Sequence, residues 1–129
     1  MQSELEQTFI KKFVEKDKQE RYLEFLAKEK NRSKFTNELH YFKNLNWKLF
    51  REISGSESGI AVILAKVKGK KNISNCYAIS NRPEFDGKVF SIDEVIKDVV
   101  GTEEIILIFG NAEIVYYEGE APGNRYISI

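Results

Sequence analysis

Ser54-Gly-Ser-Glu-Ser-Gly59 marks the point where the hydrophobic period of this 129-residue chain changes. Before it, apolar residues recur at helical spacing among mostly basic side chains. After it they come in short β-rich runs, and the last third is acidic. Immediately downstream, Ile60-Ala-Val-Ile-Leu-Ala-Lys-Val-Lys68 reads as a strand, apolar on both faces over its first half. Gly69–Asn72 reads as a turn, and Ile73-Ser-Asn-Cys-Tyr-Ala-Ile79 alternates as the returning strand. Immediately upstream, Trp47–Ile53 suits either a strand or a helix, and the strand is the expectation.

Farther out on the β side, Ser91-Ile-Asp-Glu94 has the spacing of a capping box, a hydroxyl and a carboxylate that close two amides reciprocally. It opens a short helix with the stripe Ile92, Val95, Ile96 and Val99, and Gly101 stands where a helix-terminating glycine belongs. Ile105–Phe109, Gly110-Asn111 and Ala112–Tyr117 read as a hairpin with a two-residue type II′ turn. Arg125–Ile129 is a last strand.

On the helical side, Ser3-Glu-Leu-Glu6 is a second capping box before the stripe Leu5, Phe9, Ile10, Phe13 and Val14. That helix is expected to end near Lys16, with Asp17 capping the next and Tyr22, Leu23, Phe25 and Leu26 as its apolar face. Asn31 or Ser33 caps a third helix carrying Phe35, Leu39 and Phe42. Helices, then hairpins, then one inserted helix describe a single α+β domain over 1–129. Its helical part is 1–46 and its sheet part 47–129, with five or six mainly antiparallel strands. The small residues Ser74, Cys76, Ala78 and Ser80 share one strand face, continued by Ala61, Ile63 and Ala65, and the N-terminal helices are expected to pack there. The terminal strand is expected at an edge of the sheet, where pairing across a homodimer can occur.

Composition narrows the class. The start of the chain lacks the basic flank and apolar core of a signal peptide, and no apolar run reaches the ~18–20 residues that span a bilayer. One cysteine excludes an intramolecular disulfide framework and suits a reducing cytoplasm. The zero net charge hides an asymmetry. Lys11–Arg51 carries twelve basic and six acidic residues, whereas 82–129 carries four basic and ten acidic.

No complete catalytic or metal motif is present. Cys76 lacks a nucleophile signature and lies mid-strand, so a buried thiol is the simpler reading, with a small hydrolase as the third-ranked function. The single histidine, His40, sits at the edge of an apolar stripe. Neither a zinc ligand set nor the loop spacing of a calcium site occurs, and no cofactor is expected. Asp93 and Glu94 read as first-turn helix acids, and Glu118 and Glu120 share a strand face automatically. Two surfaces stand out instead. Tyr116, Tyr117, Glu118, Glu120 and Arg125 combine residue types enriched at protein interfaces. Lys28, Lys30, Arg32 and Lys34, with Phe35, Tyr41 and Trp47 nearby, could neutralise phosphates and stack on bases. The expectation is a non-catalytic protein that binds another protein, by analogy with bacterial immunity or regulatory proteins. A nucleic-acid partner is the alternative.

Overall fold

The computed structural model describes residues 3–39, 41–70, 73–101, 104–119 and 124–129. A six-stranded, wholly antiparallel sheet in the order β1-β6-β5-β4-β2-β3 forms the middle layer. The strands are β1 Phe50–Glu52, β2 Asn75–Ile79, β3 Val89–Ser91, β4 Ile105–Phe109, β5 Ile114–Glu118 and β6 Arg125–Ser128. Helices α1 Ser3–Phe13, α2 Gln19–Leu26 and α3 Arg32–Leu39 cover one face, and α4 Gly59–Lys68 and α5 Ile92–Asp98 lie on the other. The fold is α+β, and strand alternation explains its two cores. Along β4, Ile106 and Ile108 meet the N-terminal helices, whereas Ile105, Leu107 and Phe109 meet α4 and α5.

Residues 59–68 form a helix rather than the expected strand. Ser58 supplies the N-cap through a bond from the Ala61 amide, and Lys66 and Lys68 occupy the last turn before Gly69. Apolar residues stand on every side of this segment, so it carries no helical period to read. The small-residue face of β2 consequently receives α4 and α5, with Cys76 and Ala78 packed among Val62, Ile63, Val95 and Val99. The N-terminal helices take the opposite face, with Tyr77 and Ile79. Their own side chains are large rings, which need depth between layers rather than close backbone approach.

Several local expectations shift as well. Helix α1 ends at Phe13, and Asp17 falls in a 3₁₀ turn, Lys16–Lys18, with no side-chain cap at the start of α2. Gln19 closes the corner instead, donating to the carbonyls of Val14 and Lys11. Residues 47–49 form a 3₁₀ turn that leads into β1. The hairpin loop has four residues, since Phe109 pairs with Ile114. Gly110 and Ala112 both adopt positive φ, and the Ala112 carbonyl accepts a bond from Lys12 Nζ at 3.0 Å, which ties the loop to α1. The strand 125–128 is interior, paired with β5 and β1, so the edges of the sheet are β1 and β3 and the expected edge pairing through the C-terminus has no free strand. The Ser91–Glu94 capping box forms as expected, and Gly101 adopts φ +89° beyond the helix.

Candidate functional site

The acidic-aromatic cluster on β5 is not a surface. Alternation sends Tyr116 and Glu118 towards α4 and Tyr117 towards the N-terminal helices, and all three are buried. The Tyr116 hydroxyl donates to Glu118 Oε1 at 2.6 Å, and the same oxygen accepts the Gly101 amide at 2.9 Å. Burial, and then the Glu118 carboxylate, push the Tyr116 hydroxyl well above its ordinary pKa. Arg125 reaches the carbonyl of Glu57. Glu120 lies outside the described residues. These side chains join the end of β5 to the start of α4 and the turn after α5, as internal structure.

The basic junction divides differently. Lys28, Lys30 and Lys34 are exposed, but Arg32 turns inward. Its Nε and Nη2 grip both oxygens of Asp86 at 2.9 and 2.8 Å, and Nη1 reaches Glu6 at 2.7 Å. The Tyr77 hydroxyl donates to the second Glu6 oxygen at 2.8 Å, and Asp86 also accepts the Ser80 amide. Both oxygens of Glu6 are thus engaged from outside α1. This carboxylate, only 1% exposed, binds α1 to α3 and β2. Burial works against the Arg32 charge, but the hydrogen bonds it donates to both carboxylates outweigh it and raise its pKa. Phe35 lies beneath the guanidinium, 5.0 Å from its ring centre, and is fully buried. Tyr41 and Trp47 stay exposed, with Lys43 and Lys48 over their respective rings. His40 lies outside the described residues.

Cys76 sits 1% exposed beneath α4 and α5. Burial, with a smaller contribution from Glu94, pushes its thiol up to about 12, so it is neither reachable nor ionised at neutral pH. Among the described residues no three His, Cys, Asp or Glu side chains gather in a group that could hold a metal ion. No helix of the described residues is long and apolar enough to cross a membrane.

An accessible concavity lies elsewhere. Helix α4 rests over β5 and β6, and α5 over β2 and β3, which leaves the α4-side face of β1 open. A groove between β1 and α4 is lined by Arg51, Glu57, Ala61, Val62, Ala65 and Lys66. Ala61 and Ala65, one turn apart, are exposed, and Leu64 beside them is 44% exposed. Arg51 and Glu57 form a bidentate pair at 3.1 and 3.2 Å on the rim. The Arg51 bonds, followed by the Ser54 amide, hold the Glu57 carboxyl below the usual carboxylate range. At the other end of β1, Trp47 and Ile129 are exposed, and Ile129 is bonded through its amide to Leu49. None of these residues carries a motif; the signal that could have revealed the groove was Ser58 as a helix cap, which converts an apolar strand into a helix with an uncovered side. Comparison of the chain with known protein families, with curated proteins and with solved structures returned no match.

Proposed function

We infer that this protein is a non-catalytic binding module whose partner is another protein, held on the open side of α4 beside β1. The observation that carries this reading is the composition of α4. Gly59-Ile-Ala-Val-Ile-Leu-Ala65, its first two turns, is apolar around its whole circumference, although the sheet covers only one side. An apolar helix face rimmed by charged side chains is the usual make-up of an interaction surface. The test compares capture of partner proteins by the tagged wild-type chain and by Leu64→Glu. Because Leu64 is a surface residue, its replacement changes stability by no more than about 0.5 kcal/mol. Loss of capture with an unchanged melting temperature supports the reading, and unchanged capture removes this surface from it.

A nucleic-acid partner is the second reading, favoured by the exposure of Lys28, Lys30 and Lys34 and of Tyr41 and Trp47. It requires retention on single-stranded nucleic acid that weakens with salt and with Lys30→Glu. The absence of retention at low ionic strength eliminates it.

A further inference from the structure

We propose that β1 accepts an extended segment of the partner protein as a seventh strand, with an acidic side chain of that segment seated in the groove beside α4. This rests on the protein-binding reading above and specifies its partner. The hydrogen-bond pattern of the edge leads to it. Ile53 donates to the Arg125 carbonyl at 2.9 Å, and Leu49 accepts from Ile129 at 2.8 Å. Residues 49, 51 and 53 therefore direct their backbone groups towards β6, and alternation turns those of Phe50 and Glu52 outward. Local bonds close the flanks. The Phe50 amide is held by the Trp47 carbonyl, the Glu52 carbonyl accepts from Arg51, and the Ser54 amide donates to Glu57. Among the described residues the Phe50 carbonyl and the Glu52 N–H stay open, an acceptor and a donor spaced to take two bonds from one incoming strand.

Among the described residues the other sheet edge keeps its own open donor and acceptor, both on Val89, but it does not adjoin the groove beside α4. The Ile92–Ser74 and Ala78–Lys88 bonds turn β3 so that Val89 and Ser91 face outward, but Glu94 occupies the Ser91 amide. At β1 the edge adjoins the groove, so a strand added there sends alternate side chains over Ala61 and Ala65. Arg51 and Glu57 offset each other as a pair, which leaves the charge of Lys66 uncompensated among the lining residues and favours a carboxylate. The same arrangement disfavours a second copy of this chain. Antiparallel pairing of β1 with its twin sets Arg51 opposite Arg51, a directly opposed like-charge pair.

The experiment selects a displayed library of random octapeptides on the full chain and measures the affinity of enriched peptides for variants. Glu52→Pro removes the open N–H and leaves the ladder to β6 intact. Lys66→Glu reverses the charge of the groove. Enriched peptides are expected to share an Asp or Glu flanked by β-branched residues, and to bind each variant about tenfold more weakly. If Glu52→Pro fails to fold, N-methylation along the peptide substitutes for it, and one position is expected to abolish binding. Failure to enrich peptides, basic consensus sequences, or affinity indifferent to both Glu52→Pro and N-methylation overturns strand addition. A dimer in sedimentation that Glu52→Pro dissociates also overturns it, by making a second copy the occupant. The broader reading is judged separately by the Leu64→Glu capture, which does not depend on β1.

Discussion

The two faces of the sheet solve the same covering problem with different side chains. On the N-terminal side the core is largely aromatic. Phe9, Phe13, Tyr22, Phe35, Phe50, Tyr77 and Tyr117 are buried there, and Phe42 stacks on Tyr126 with ring centres 3.7 Å apart. Helices of 11, 8 and 8 residues are too short to lock one another by ridge packing alone. The Glu6–Arg32–Asp86 triad joins two of them to the sheet. On the other side the core is mostly aliphatic and small, and α4 comes so close that a Cβ on Gly59 would lie 2.7 Å from the Tyr116 hydroxyl. One face is latched by the triad, whereas the other is closely seated and open along β1. The lesson is that the unsatisfied surface is found where backbone approach is closest, because two closely seated helices cannot span six strands.

The largest test of this contrast is on the latched face. Arg32→Ala leaves Glu6 and Asp86 buried without a counter-charge and is expected to cost about 3–5 kcal/mol, read from the urea midpoint. A cost under about 1 kcal/mol would mean that aromatic packing alone holds that layer. On the seated face, Gly59→Ala drives a methyl group against Tyr116 and Val100, for an expected loss of about 1–3 kcal/mol. Adding Tyr116→Phe should recover part of it in the same unfolding assay, since the hydroxyl is the atom struck.

The gentlest test titrates both faces together. Burial pushes Cys76 on one face and Tyr117 on the other up to about 12, Glu104 adding to the effect on Tyr117. Ordinary values in the unfolded chain are ~8.5 and ~10. The unfolded state therefore loses these protons first, so stability is complete below about pH 8.5 and declines as pH rises towards 12. In Cys76→Ala the onset of that decline should move from ~8.5 to ~10. An unchanged urea-midpoint profile between pH 8 and 11 would show that the thiol does not contribute.

Features written in neighbouring residues were legible in the sequence. The Ser91–Glu94 box, the β4–β5 hairpin and the aromatic stripe of α1 each depend on contacts within a few positions. Helix α4 was not legible, because a segment apolar on all sides has no period to distinguish helix from strand. That error placed the N-terminal helices on the wrong face and hid the groove. Glu6 shows the other limit. Its spacing from Ser3 satisfies a local rule, but its partners stand 26 and 71 residues away, where no local rule reaches. Likewise Tyr116, Tyr117 and Glu118 have the composition of an interface, and only their place in a central strand reveals them as interior.

The separation of 54 residues between Arg32 and Asp86 also orders events in time. During synthesis Glu6 and Arg32 are added to the chain before Tyr77 and Asp86 exist. The three N-terminal helices must wait, their charged groups still hydrated, until β2 and the loop after it have emerged. Contacts of such range are slow to close, because the intervening chain must be ordered before they return any energy. The triad is thus a late checkpoint of folding, one that a chain truncated before Asp86 cannot pass.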